Sequence, residues 1–307
     1  MQNGDREKLI SFLGKLETEQ KNPETADIDT LSSLEIVRKI NNEDKKVAFV
    51  VEEALGEISR VAEQTAETIR SGGRIIYIGA GTSGRLGVID AAECPPTFGT
   101  EPSQIVGLIS GGYETLLLSK EGAEDHEDWA VDDLKRIKLS SADFVIGIAA
   151  SIRTPYTIAG LEYASSQNCR TALIVCNTPG ELNYRPDFLI ALPVGPEVIT
   201  GSTRMKSGSA QKMVLNMIST TAMILIGKTY GNIMVDLQAR SEKLAARSRR
   251  ILMDFLGIEY DAADKLLESA GGSVKTAIVM SKCSVTKKEA ETLLQKSSGF
   301  LRKVINS

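Results

Sequence analysis

Histidine is almost missing from this chain: His126 is the only one in 307 residues. Imidazole is the side chain whose unperturbed pKa lies near neutrality, so an enzyme with a single copy must usually move protons with carboxylates or lysines. Attention shifts to glutamate and aspartate. Cysteine is scarce as well. The four, Cys94, Cys169, Cys176 and Cys283, show no C-x-x-C spacing, which argues against a disulfide framework or a cysteine zinc site and reads as reduced thiols in a cytoplasmic protein. There is no surplus of basic residues: 36 Lys and Arg against 40 Asp and Glu leave a net charge of -4, so no general field draws the chain to nucleic acid or an anionic membrane. Long apolar runs are absent too. The longest region, "MVLNMISTTAMILIG", is broken by Asn216 and Ser219-Thr220-Thr221 and falls short of a membrane span. The N-terminus carries acids early and lacks the apolar stretch of a signal peptide. The expectation is a soluble protein in which any phosphate binding is local.

With 42% hydrophobic and 25% charged residues, the chain can bury a substantial core in one large domain plus a smaller one. Residues 1 to 28 are polar and expected to be loosely held. Ser32 and Glu35 form a capping-box pattern that starts a helix, and apolar spacing from Glu43 to Arg70 predicts one long amphipathic helix ended by Gly72-Gly73. Five β-rich runs follow, at 74–79, 104–110, 143–150, 171–176 and 188–194, separated by helical stretches. That alternation predicts an α/β fold, a doubly wound five-stranded parallel sheet with helices on both faces. After the fifth run, "GSTRMKSGSAQK" reads as a turn entering a long apolar helix. From residue 241 the pattern changes to short helices punctuated by Gly or Asp, so the domains are expected at 1–240 and at 241–307, the latter small and all-α.

Ligands of such sheets sit beyond the carboxyl ends of the strands, where helix N-termini attract anions. Two of these turns are rich in hydroxyls: "GAGTSG", Gly79 to Gly84, and "AASIRTPY", with Ser151, Arg153 and Thr154. The first satisfies the G-x-G-x-x-G spacing, yet the second strand ends "ISGGYE" without the acidic residue that holds a ribose at its tip. It also lacks the G-K-[ST] ending of a phosphate loop. Hydroxyls and amides at adjacent helix starts instead form a compact oxyanion cradle, to which Arg153 can add a charge-assisted bond.

The stretches "YIGAGTSGRLGVIDAAECPPTFG", "EGAED", "GIAASIRTPY", "TGSTRMKSGSAQK" and "TADIDTLSSLEIVRKINNEDKKV" together resemble the N-acetylmuramic acid 6-phosphate etherases, members of the sugar isomerase (SIS) domain superfamily. The likeness runs from about residue 16 to the end, and "DAAECPPTFG" is its most specific piece. It implies a carbon–oxygen lyase that removes the lactyl ether of N-acetylmuramic acid 6-phosphate during cell-wall recycling, giving N-acetylglucosamine 6-phosphate and D-lactate. It further implies Glu93 as acid, Glu124 as base, and a homodimer. Sugar-phosphate contacts are expected at Gly81, Thr82, Ser83, Ser151, Arg153, Thr154 and Ser209. No metal or nicotinamide is needed, since two carboxylates suffice if one is held protonated; the acid is expected in the drier or more negatively charged setting. Spacing alone does not select Glu124 from Glu121, Asp125, Glu127 and Asp128; the resemblance does.

Glu93 poses a geometric question. In a straight helix, ten residues carry it about 15 Å from Ser83. Either the helix breaks near Gly87 or Pro95, or Glu93 serves a second subunit's site; the shared dimeric site is the favoured expectation. Arg204, Lys206 and Lys212 are further anion-binding candidates or plain surface charge, His126 is given no role, and Cys94 reads as a packed thiol. Ile152 stands where many relatives have glycine, which puts the second turn's backbone in question. Competing functions are an aldose–ketose isomerase, which needs no ether-directed acid, and a sugar-phosphate sensor resembling glucokinase regulatory proteins.

Overall fold

The five β-rich runs become five strands in the computed structural model, which describes residues 14, 16–178, 180, 184–237 and 242–306. They are β1 (Ile75–Gly79), β2 (Ile105–Ile109), β3 (Phe144–Ile148), β4 (Arg170–Val175) and β5 (Phe188–Ala191). The sheet order is β2-β1-β3-β4-β5. Parallel register places Ile75 opposite Phe144, Phe144 opposite Arg170 and Ala172 opposite Phe188. The doubly wound α/β sheet expected from the sequence is therefore present. Because β1 neighbours β3, the winding reverses between them, and the two hydroxyl-rich turns emerge side by side at the carboxyl edge.

The sheet is covered on both faces, and the sequence shows why. Strands β1 and β3 are buried at every residue, so they read as continuous apolar runs. Alternate residues Ile76, Ile78, Val145, Leu173 and Val175 share one cluster with Ala130 and Leu134 of α4 (Glu127–Arg136) and with Tyr156 and Leu161 of α5 (Pro155–Ser166). Each such buried aliphatic or aromatic side chain contributes about 1.5–3 kcal/mol. Helix α2 (Leu55–Arg70) packs against β1 and β5, with the Arg60 guanidinium 5.4 Å from the centroid of the Phe188 ring.

Three local expectations are corrected. The single helix from Glu43 to Arg70 is instead α1 (Ser33–Glu53) followed by α2, because Ala54 leaves helical geometry at φ -96 and ψ 2. Ser32 does start α1, its amide donating to Glu35 Oε2 at 2.9 Å. The polar N-terminal stretch is not loose from Leu16 onward. Thr18 and Asn177 exchange hydrogen bonds, Asn22 Nδ2 donates to Pro196 O at 3.2 Å, and Thr25 Oγ1 donates to Val198 O at 2.9 Å. Those partners pin it across the carboxyl ends of β4 and β5. Residues 1–13 lie outside the described residues. Finally, the last expected strand ends at Ala191 instead of residue 194, since Pro193 has no N–H for a ladder.

Two compact units are present among the described residues: one runs up to Asp90 and resumes at Val106–Ile218, the other takes Ala91–Ile105 and the chain from Ser219 onward. In the second, α7 (Glu242–Leu256), α8 (Tyr260–Ser269), α9 (Val274–Cys283), α10 (Lys287–Lys296) and α11 (Leu301–Ile305) close over Leu252, Ala263, Ala277, Ile278 and Leu294. Buried Lys275 ties this unit, donating to Gly227 O at 2.9 Å, Gly299 O at 3.0 Å and Asp236 Oδ2 at 2.7 Å. A short hairpin, β6 (Thr229–Tyr230) with β7 (Ile233–Met234), was not anticipated. Its signal is the Gly231-Asn232 pair between residues of high strand preference.

Candidate active site

The glycines of "GAGTSG" have separate tasks. A Cβ on Gly84 would stand 2.6 Å from Gly79 O, and one on Gly79 would stand 2.9 Å from Gly84 N. Helix α3 (Gly81–Phe98) therefore rests on the end of β1 with no room for a side chain at either position. Gly81 is different: it takes φ +54 with nothing within 4 Å of the added atom, so only its backbone angle demands glycine. It opens the helix, whose first-turn amides have no intrahelical partner and carry the positive end of the dipole. Thr82 is half-buried and Ser83 buried. Ser83 Oγ donates to Gln211 Oε1 at 2.9 Å, so its hydroxyl is committed inward, leaving its amide as the group it offers an anion.

The second turn is braced from β4. Cys176 N and Asn177 Nδ2 both donate to Ala150 O, at 3.0 and 2.9 Å, and Ser151 Oγ lies 3.4 Å from Thr154 Oγ1 at the start of α5. Arg153 is exposed. Ile152 is buried and does not take positive φ, so the turn is built without the conformation that glycine would permit.

Ser209 lies exposed in the first turn of α6 (Lys206–Leu225). That helix starts beside the first cradle, since a Cβ on Gly208 would meet Thr82 Cγ2 at 3.3 Å. Its own anion is internal. Glu197, fully buried, accepts from Lys206 N at 2.9 Å, Ser207 N at 2.9 Å and Ser207 Oγ at 2.8 Å. Lys206 is neither an anion ligand nor surface charge, because its Nζ is buried against Glu43 Oε2 at 2.7 Å. Arg204 and Lys212 are exposed.

Glu124 shares one cleft with Gly81 of the glycine turn, while Thr82, Ser83, Ser151, Arg153, Thr154 and Ser209 do not line it. A cavity of ≈ 300 Å³ is lined by Gly81 and Arg85 of α3, by Ser110 just past β2, and by Thr115 and Ser119 to Glu124 of the connection beyond. Gly81 and Arg85, four residues apart, share a helix face. Glu124 follows Gly122, which takes φ 72, and sits in a 3₁₀ turn over Ala123–Asp125. Its side chain keeps contact with solvent at the mouth of the cleft, yet protein crowding its carboxyl, and then Asp125, raise its pKa. His126 stacks on Trp129 with centroids 3.9 Å apart, outside the cleft lining.

The surroundings of this cleft match known sugar-phosphate proteins. Residues 57–165 fit the family model described as the glucokinase regulatory protein N-terminal SIS domain. An N-acetylmuramic acid 6-phosphate etherase of Klebsiella aerogenes is 48% identical over 295 residues, covering 96% of this chain and 98% of that protein. One from Rhodopirellula baltica is 50% identical over 297 residues, covering 97% and 98%. The chain belongs to the N-acetylmuramic acid 6-phosphate etherase family. Among solved structures, a phosphoheptose isomerase from Francisella tularensis is 12% identical, with a TM-score of 0.48, and the match covers 63% of this chain and 100% of that one.

Within this etherase-family chain, Glu93 lies on α3, which continues unbroken through Pro95 and Pro96 to Phe98. The break near Gly87 or Pro95 is thus removed. Glu93 is exposed. Glu124 is exposed as well, and the protein crowding its carboxyl raises its pKa. A raised pKa suits a base, since proton transfer is most efficient when the pKa approaches the operating pH. Cys94 is buried. Arg85, Ser110, Thr115 and Lys120 were missed from sequence; Arg85 carried a signal, standing directly after the glycine turn.

Proposed function

We propose that the chain cleaves the D-lactyl ether of N-acetylmuramic acid 6-phosphate, giving N-acetylglucosamine 6-phosphate and D-lactate. The observation that carries this reading is the single cleft shared by the N-terminus of α3 and the Glu124 carboxyl. The helix terminus and its hydroxyl-rich turn suit the 6-phosphate, with Thr82, Ser83, Ser151, Arg153, Thr154 and Ser209 as the remaining candidate contacts. Glu124, acting as the carboxylate, takes the carbon 2 proton of the open aldehyde. As the carbon 3–oxygen bond breaks, Glu93 protonates the departing ether oxygen and lactate leaves with its hydroxyl intact. Water then adds to the resulting carbon 2–carbon 3 double bond. Glu93, now a carboxylate, takes a proton from that water as oxygen bonds to carbon 3, and Glu124 returns its proton to carbon 2. Both carboxyls end as they began.

The reach of α3 favours a homodimer in which Glu93 acts in the partner's cleft. Exposed Tyr113, Leu117 and Leu118, the last two 89% and 79% accessible, supply an apolar rim near the cleft for such an association. Recycling of wall sugars and the four free cysteines fit a cytoplasmic enzyme. The test is incubation with N-acetylmuramic acid 6-phosphate in oxygen-18 water. D-lactate and carbon 3-labelled N-acetylglucosamine 6-phosphate are expected in equal amounts; a chain that releases no lactate is not an etherase.

A further inference from the structure

Glu124 hangs on a connection with little regular structure of its own. Between β2 and α4 the chain forms only two 3₁₀ turns, Tyr113–Leu116 and Ala123–Asp125. A base on such a segment needs outside support, because catalytic geometry is held by groups whose own positions are locked. Two clamps supply it. Arg85 donates from Nε to Leu116 O at 3.4 Å, and from Nη2 to Thr115 O at 2.5 Å and Ser119 Oγ at 3.2 Å. Ser110 Oγ donates to Ala123 O, the carbonyl immediately before Glu124, at 2.5 Å. Thr115 Oγ1 braces the bend by donating to Gly112 O at 2.7 Å and Ser110 O at 3.1 Å.

Arg85 stands one turn into the helix whose amides face the cleft, so its guanidinium links the anion cradle to the segment bearing the base. Its partners are two main-chain carbonyls and a hydroxyl, and its planar fork spans acceptors that a single ammonium does not. We propose that Arg85 is a positioning residue for the etherase reaction, setting the span between the phosphate cradle and the Glu124 carboxylate, with Ser110 as the second clamp. This rests on the functional reading above.

The experiment measures kcat and KM for D-lactate release by the full chain carrying Arg85→Lys, Arg85→Ala or Ser110→Ala, each checked for folding by circular dichroism. A misplaced base is expected to lower kcat about 10–100-fold while KM stays within about 3-fold, and Arg85→Lys is not expected to rescue. Because Arg85 acts through Glu124, adding Arg85→Ala to Glu124→Gln should cost little further activity. A KM that rises with kcat preserved makes Arg85 a direct ligand of a substrate anion and overturns the proposal. So does a variant with normal kcat and KM whose only defect is a lower Tm. If both Arg85 variants fail to fold, Ser110→Ala decides, with unchanged kcat overturning the clamp. A wild-type chain that releases no lactate overturns the functional reading and this role together; lactate release with unaffected variants overturns this role alone.

Discussion

Glu43 of α1 and Lys206 at the start of α6 meet at 2.7 Å with side chains only 3% and 2% accessible. They are 163 residues apart in the chain. The backbone amide of the same lysine is held by Glu197, so this pair fixes the entry of α6 beside the glycine turn. Burial pushes the Glu43 carboxyl up, but Lys206 and Lys46 outweigh it and hold it below its ordinary value.

Glu43→Gln should therefore lower stability by about 3–5 kcal/mol at neutral pH, because it leaves a buried ammonium without its counter-charge. A depressed carboxylate contributes stability above its unfolded pKa and loses it as pH falls through the folded one. The difference in Tm between wild type and variant is expected to shrink below about pH 4. Glu43→Leu combined with Lys206→Met should recover much of the loss. Thermal unfolding monitored at a series of pH values checks all three outcomes.

Glu124→Gln should reduce lactate release by about 10²–10⁴-fold, the usual contribution of a positioned base. Since its pKa is raised, the acid limb of the wild-type kcat/KM profile is expected above the value of a free glutamate. The sign for stability is opposite to that of Glu43. A carboxyl harder to ionise in the fold costs stability at pH values above its folded pKa, so the inactive Gln variant should melt no lower than wild type at neutral pH. A pH–rate profile and a melting curve measure the pair of effects.

Shared sites make a quantitative prediction for mixed dimers. Co-refolding equal amounts of Glu93→Gln and Glu124→Gln chains should restore about a quarter of wild-type activity, because half of the dimers are mixed and each mixed dimer keeps one intact site of two. Recovery of no activity rules out sharing.

The sheet was legible because a parallel strand buried on both faces leaves an uninterrupted apolar run, as in Ile75–Gly79 and Phe144–Ile148. The glycine turn was legible for a related reason: glycine at 79, 81 and 84 records close approach and positive φ directly in residue type. What escaped was long-range pairing. Nothing near Lys206 in sequence announces Glu43, and nothing near Leu16 announces Asn177, so a buried ion pair looked like surface charge and a pinned segment looked loose. The break at Ala54 was hidden because alanine favours helix. Arg85 was overlooked because its acceptors are main-chain carbonyls, which carry no residue identity.

In the proposed reaction the phosphate contacts and the base fall on different stretches of chain: the first on the β1–α3 turn, the second on the 3₁₀-rich connection after β2. Such a division makes the chemistry exchangeable. On that reading, replacing the connection would leave the parallel scaffold in place while changing which bond is broken, a route by which one binding fold can diversify in function.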